Sequence, residues 1–230
     1  MADTTLTWLG HASFRIDTAD GKRIYIDPFL NGNPKCPDDE KNPEKADIIA
    51  LTHAHGDHFG DTVDIAKRTG AAVVATVEFA DWLQIKHELK NVYDPNKGGT
   101  VDVDGVTFTL TDARHSSSND RLEYMGEPVG LIVGVDGKKV YFAGDTCVFG
   151  DMELIARIYE PEVAVLPIGD HYTMGPREAA VALELLNVKR CVPCHYGTFP
   201  ALTGTPDALR KLAPAGIDID EMEPGGSIVL

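Results

Sequence analysis

Short apolar runs divided by turn residues dominate this chain. Thr5 to Leu9 and Ala12 to Ile16 alternate in the period-two manner of strands, a turn follows at Asp20-Gly21, and Arg23 to Ile26 resumes the pattern, so the chain opens as a β-meander. Asn31 to Pro43, rich in Asn, Gly, Pro and Asp, reads as a loop. Ala46 to Leu51 is apolar with two adjacent isoleucines, which suits a strand buried on both faces, and Asp61 to Thr69 suits a helix opened by an aspartate cap. A strand at Ala71 to Ala75 and a helix around Phe79 to Leu89 complete a first block. β runs return from Thr100 to Phe142, with turns at Asp104-Gly105 and Asp136-Gly137. Beyond Asp151, helix and strand alternate through Met152 to Tyr159, Val163 to Pro167, Arg177 to Leu186, Arg190 to Val192 and Asp207 to Leu212. Two β-rich blocks, each followed by helices, form a rough duplication. Two sheets that each need helices on an outer face predict a four-layer αββα sandwich of the α/β class.

Composition narrows the classes. A chain of 230 residues with 43% hydrophobic and 25% charged content is expected to form one soluble domain spanning 1–230, neither disordered nor fibrous. A net charge of −15 opposes binding to a polyphosphate backbone, so a small-molecule substrate is expected and nucleic acid is not. A homo-oligomer is compatible with this composition. No apolar window is long enough for a bilayer, and Met1 to Gly10 lacks a basic n-region, so cytoplasm is the expected location.

The chemistry is concentrated in Thr52-His53-Ala54-His55-Gly56-Asp57-His58. Residues i and i+2 of an extended segment face one side, so His53 and His55 can grip one ion from a single strand end. Gly56 permits a sharp turn that aims Asp57 and His58 at a second position. Three more candidates stand where strands end: His115 before Ser116-Ser117-Ser118, Asp145 in Gly-Asp-Thr after Val140 to Ala143, and His195 after Cys191 to Cys194. His87 lies within a helix and reads as a surface or packing residue. His11, beside Gly10, and His171, in the loop Ile168 to Pro176, suit a cleft or a structural role equally. Cys191-x-x-Cys194-His195 formally matches a haem-attachment pattern, but no export signal accompanies it, and a zinc knuckle lacks its second Cys pair; a labile disulfide stays open.

In this order, His53-x-His55-x-Asp57-His58, His115, Asp145 and His195 resemble the metal-binding motifs of the metallo-β-lactamase superfamily. Trp8 to Phe14, Ile26 to Leu30, Pro167 to Asp170 with Thr173 to Gly175, and His195 to Pro200 further resemble metal-dependent hydrolases related to ascorbate-6-phosphate lactonase. The resemblance implies that His53, His55 and His115 bind one metal, that Asp57, His58 and His195 bind a second, and that Asp145 bridges them. It also implies a dinuclear hydrolase in which a hydroxide held between the ions attacks a small ester, a lactone or a phosphoester. In that scheme Asp57 orients the hydroxide, and His11 or His171 donates a proton or binds an anionic substrate group. Imidazole and carboxylate ligands suit zinc first and manganese second, with iron or nickel also compatible. Two rivals use the same ligands: a redox diiron protein and a non-catalytic metal-binding module. No large insertion of the kind found in the superfamily's RNA-processing nucleases is present, which counts against an RNA substrate.

Overall fold

The computed structural model describes residues 3–230. Met1 and Ala2, which begin the segment read for a leader, lie outside them.

In chain order, β1 (Thr5–Trp8), β2 (Phe14–Asp17), β3 (Arg23–Ile26) and β4 (Ile48–Ala50) lead into the short helix α1 (Gly56–Phe59) and then α2 (Thr62–Thr69). After β5 (Ala72–Val74), α3 (Val77–His87) and β6 (Val92–Tyr93) come four longer strands, β7 (Thr100–Val103), β8 (Val106–Asp112), β9 (Val129–Val135) and β10 (Lys138–Phe142). The remainder is α4 (Met152–Tyr159), β11 (Val163–Pro167), α5 (Pro176–Leu186), β12 (Arg190–Cys194), α6 (Pro206–Leu212), β13 (Asp218–Ile219) and β14 (Ser227–Val229).

The strands form two seven-stranded sheets, ordered β14-β1-β2-β3-β4-β5-β6 and β13-β12-β11-β10-β9-β8-β7. Each is antiparallel over one part and parallel over the rest: β1 to β3 pair antiparallel and β3 to β6 parallel, while β7 to β10 pair antiparallel and β10 to β13 parallel. The duplication expected from the sequence is therefore a duplication of sheet topology. Alternation decides which side chain goes where. Val163 and Val165 of β11 enter the core between the sheets, and Ala164 and Leu166 pack outward under α4 and α5. Ile48 and Ala50 face the same inter-sheet core, whereas Ile49 packs beneath the helices of the first sheet. Three stacked apolar layers among four layers of elements make the expected αββα sandwich.

Alternation also separates the two cysteines of the Cys-x-x-Cys run. Residues i and i+3 of a strand point to opposite faces, and Cys191 lies in the outer core while Cys194 lies between the sheets. Both are free and buried, and lying on opposite faces of β12 they neither pair with each other nor present two thiols to one face.

Two local expectations are corrected. The turn expected at Gly56 is the start of α1 directly after the extended His55 and is made without a positive φ, so glycine's conformational freedom is not required there; a Cβ would lie 2.8 Å from Asp120 Oδ1, the far end of a flexible side chain. Asp61 does stand before α2, but its carboxylate does not cap that helix. It accepts instead from Leu30 N at 2.8 Å, Asn31 N at 2.9 Å and Asn31 Nδ2 at 2.8 Å, and so ties the loop after β3 to α2. Among the described residues, no helix is long and apolar enough to cross a membrane.

Candidate metal centre

The carboxyl ends of β3, β4, β8, β10 and β12 converge on one edge of the sandwich, where chains leaving the sheets change from strand to loop. The first sheet brings His53, His55, Asp57 and His58 from the segment after β4, and His11 from the turn between β1 and β2. From the second sheet come His115 after β8, Asp145 after β10 and His195 after β12. A backbone bond from His195 N to the His11 carbonyl at 2.9 Å, and another from Val129 N to the Thr52 carbonyl at 3.0 Å, join the sheets here. Within the second sheet, Gly169 after β11 lets the His195 backbone after β12 come close, since a Cβ on it would stand 2.0 Å from the His195 carbonyl oxygen.

Three groups of possible ligand atoms result, the atoms of each lying within 4.8 Å of one another: His53, His55 and His115 in one, His11, Asp57, His58 and His195 in a second, and Asp27, His53 and His58 in a third. Asp145 touches the first two. Its Oδ1 is 3.2 Å from His58 Nε2, and its Oδ2 is 3.2 Å from His195 Nε2 and 3.6 Å from His115 Nε2. His58 Nε2, His195 Nε2 and Asp145 Oδ1 are fully enclosed and close to one another, yet none lies in a direction that makes a hydrogen bond. Buried polar atoms without partners are rare and costly, by about 1–3 kcal/mol each. Enclosed imidazole nitrogens and carboxylate oxygens aimed at common points are what divalent cations require, so the residues present fit such ions.

The electrostatics agree. Burial pushes His53, His55 and His115 below the usual imidazole value, which leaves them neutral as ligands must be. Burial lowers His58 too, but Asp145 and Asp27 outweigh it and raise it well above 6.5. For Asp145, burial acts upward, and His195 and His58 reverse the sign, holding the carboxyl well below its ordinary range. His11 is pushed down to about 4 by burial, partly opposed by its bond to Asp57.

The structure separates the two histidines offered as proton donors. His11 is fully buried, its Nε2 is 3.0 Å from Asp57 Oδ2, and its ring lies 4.0 Å from that of His195. His171 is exposed on the loop before α5, and it is the neighbouring Tyr172 that lines the cleft. His87 packs against Trp82 at 4.5 Å, as read from the sequence.

Asp27 was missed. It follows β3, is buried, and adopts φ 46°, in the left-handed region. Its carboxylate accepts from Thr52 N at 2.8 Å, Thr52 Oγ1 at 2.6 Å and His58 Nδ1 at 2.8 Å. Thr52 Oγ1 is also 3.0 Å from His53 Nδ1. One carboxylate therefore orients His58 directly and His53 through a hydroxyl. The signal was present in the sequence: Asp27 stands at a strand terminus before a proline, the position type that marked His115, Asp145 and His195. His11 and His195 share the unusual backbone, with φ of 56° and 55°. Left-handed backbone at non-glycine residues costs about 1–3 kcal/mol each and clusters where side-chain placement matters.

Above the cluster opens a cleft of about 690 Å³. Apart from the metal-site residues, it is lined by Ser116, Tyr172, Phe199, Pro200 and Ala201.

Residues 22–196 match the model of the beta-lactamase superfamily domain. A UPF0173 metal-dependent hydrolase of Koribacter versatilis is 47% identical over 224 residues, covering 96% of this chain and 95% of that protein. A metallo hydrolase of the hyperthermophilic archaeon Ignicoccus hospitalis is 36% identical with a TM-score of 0.84, covering 100% of this chain and 99% of its own. A diiron β-hydroxylase of Streptomyces venezuelae shares the fold alone, at 15% identity and a TM-score of 0.76, with 100% of this chain and 55% of that one covered. By the family match and by near-half identity along almost its whole length, the chain belongs to the beta-lactamase superfamily, beside relatives named metal-dependent hydrolases.

Proposed function

We propose that the protein is a dinuclear metal-dependent hydrolase of small-molecule esters, lactones or phosphoesters, built as one domain. The observation that carries this reading is Asp145, a buried carboxylate whose oxygens reach His115 in one ligand group and His58 and His195 in the other. In the proposed assignment His53, His55 and His115 hold one ion, Asp57, His58 and His195 hold the other, and Asp145 contributes to both. Zinc is proposed first, manganese second, with iron or nickel compatible with the same donors.

Two divalent cations in such a site lower the pKa of a water toward neutrality and polarise the oxygen of the bond to be cleaved. The chain does the rest. Asp57 keeps its charge because the hydrogen bond from His11 and the nearby imidazoles outweigh burial, and its partial exposure to the cleft lets it orient a water. His11 fixes the carboxylate from behind. A positioning role for His11 follows from its enclosure, whereas a solvent-facing His171 has no part in this proposal. The Ser116 and Tyr172 side chains line the same cleft, where a substrate would be seated.

The test is metal content and turnover measured together. Purified protein should hold close to two ions per chain, and Asp145→Ala should lower both metal content and hydrolysis across a panel of lactones, phosphodiesters, phosphotriesters and thioesters. Full activity after complete metal removal refutes the reading.

A further inference from the structure

The cleft over the metal centre is chemically one-sided. Beyond the metal-site residues it is lined by Phe199, Pro200, Ala201, Tyr172 and Ser116, and among the described residues no lysine or arginine lines it. The absence is specific to the site, because the chain has 21 such residues. Arg114, near in sequence to His115, packs its guanidinium over the Phe149 ring at 5.1 Å and lies toward Asp112 and Asp151 at 3.7 and 3.9 Å. Lys86 and Arg121 line a separate cavity that also includes Ala54 and Gly56, accompanied by Asp120 and Glu123.

The apolar wall is built rather than incidental. Phe199 sits on a loop closed by Gly197 N to the Leu202 carbonyl at 3.2 Å and Leu202 N to the Phe199 carbonyl at 2.9 Å, and the ring meets the edge of His11 at 5.5 Å. Tyr172 follows two successive left-handed residues, Asp170 at φ 67° and His171 at φ 62°, and its loop is held by Asp170 N to the Met174 carbonyl at 3.0 Å. The two loops are joined by Gly204 N to the Gly169 carbonyl at 3.2 Å. Large apolar side chains left exposed on anchored loops beside a reactive centre mark a binding surface.

From this juxtaposition we propose that the substrate is an uncharged carboxylic ester or lactone bearing a flat apolar group on its acyl part, seated against Phe199 and Tyr172, and not a phosphomonoester. The inference rests on the hydrolase reading above and sharpens it. Hydrolysis adds water across the acyl C–O bond and leaves the acid carrying the apolar group, with the alcohol released from an ester or kept on the same molecule as a hydroxy acid from a lactone; no other reactant is required. A phosphomonoester brings two negative charges, which protein sites meet with guanidinium forks, ammonium groups or arrays of N–H donors. Here Asp57 and Asp145 would offset part of the charge of the two ions, and the rest of the lining supplies no lysine or arginine for the remaining phosphate oxygens.

The experiment uses the full chain loaded with two zinc ions, with calorimetric titration of acetohydroxamate, phenylacetohydroxamate and phenyl phosphate beside hydrolysis of 4-nitrophenyl acetate, phenylacetate and phosphate. Burial of most of a phenyl ring against the wall gives phenylacetohydroxamate an affinity about tenfold above that of acetohydroxamate, with phenyl phosphate weakest. Phe199→Ala, with two zinc ions retained, should reduce the ratio to about twofold, as far as one lost aromatic wall allows; Phe199→Leu should leave an intermediate ratio, and Tyr172→Ala serves if Phe199→Ala does not fold. Phe199→Arg should raise phenyl phosphate affinity. Tighter binding of phenyl phosphate than of phenylacetohydroxamate, or a ratio unchanged in the aromatic variants, overturns the inference. Retained phenyl preference without turnover of any ester would overturn the hydrolase reading and leave the binding preference standing. Turnover of the phosphate above both carboxylic esters would do the reverse.

Discussion

Asp27→Asn is the most informative perturbation, because one atom is exchanged at a buried carboxylate that touches neither proposed ion. In the native site Oδ1 accepts from Thr52 N, and Oδ2 accepts from Thr52 Oγ1 and faces His58 Nδ1. With Nε2 of His58 given to a metal, Nδ1 carries the proton and needs an acceptor. An asparagine offers one acceptor oxygen and one donor amide. If the oxygen stays on Thr52 N, the amide meets His58 Nδ1–H donor to donor; if the side chain flips, Thr52 N is orphaned in a buried place. Either way one donor is stranded at about 1–3 kcal/mol, and the remaining bonds lose the roughly twofold advantage of a charged acceptor. Part of that falls on the unfolded-state comparison rather than on metal binding, so the expected loss is about 10–100-fold in affinity at the Asp57, His58 and His195 group. At the His53 group the link runs through the Thr52 hydroxyl, so the loss should be smaller. Thr52→Val separates the arms by removing only the hydroxyl relay, and should weaken the His53 group while sparing the other. The assay is competition for zinc against a chromophoric chelator at fixed free metal, with thermal melts of stripped protein to show that each variant folds. Two affinities within twofold of the native values in Asp27→Asn would refute the account.

In metal-stripped protein, His53, His55 and His115 are held below 6.5 by burial, so the unfolded chain binds more protons than the folded one and stability declines as pH falls below about 6.5. His58 is raised, so its contribution is complete below 6.5 and is lost as pH rises toward its folded value. Stripped protein should therefore melt highest near pH 6.5, and zinc should remove the alkaline decline by holding His58 neutral; a melting temperature of stripped protein that rises steadily from pH 6 to 9 would contradict this. Gly169→Ala should lower the melting temperature by several degrees, since its Cβ would meet a backbone carbonyl at 2.0 Å and overpacking costs about 1–3 kcal/mol. Gly56→Ala should be tolerated with both ions retained, because its Cβ would meet only the far end of the Asp120 side chain; loss of metal there would restore the sharp-turn explanation.

What could be read from the chain alone divides by the range of the interaction. Met152–Tyr159 and Val163–Pro167 coincide with their sequence-based bounds because the apolar period and the flanking Asp151 and Pro161 are local signals. The two-residue strands Val92–Tyr93 and Asp218–Ile219, and Ser227–Val229 at the end of the chain, were not anticipated: each exists only because a neighbouring strand supplies its hydrogen bonds. Ligand candidates were legible from residue type at strand ends, and the structure brings all seven together. Their second layer was less so. Asp27 stands at a strand end, as the ligands do, but its role as an acceptor shows only when Thr52 and His58 converge on it, and Asp61 could not be told from a helix cap until its partners proved to be Leu30 and Asn31.

The division of the ligands between the sheets gives the site a structural consequence. His53 and His55 come from the first sheet and His115 from the second; His11, Asp57 and His58 come from the first and His195 from the second. Each proposed ion would thus be gripped from both sides of the sandwich, at the edge where the inter-sheet core ends. The apolar layer holds the sheets face to face but, being non-directional, fixes their relative register only coarsely. Asp145 and the enclosed imidazoles supply the directional part. A bound ion contributes about 2.7 kcal/mol to stability at a hundredfold excess over its dissociation constant, and no conformer with the sheets displaced would share it. Metal bound there would align the two halves as well as supply chemistry, and the backbone bonds from His195 to His11 and from Val129 to Thr52 lie along the same seam.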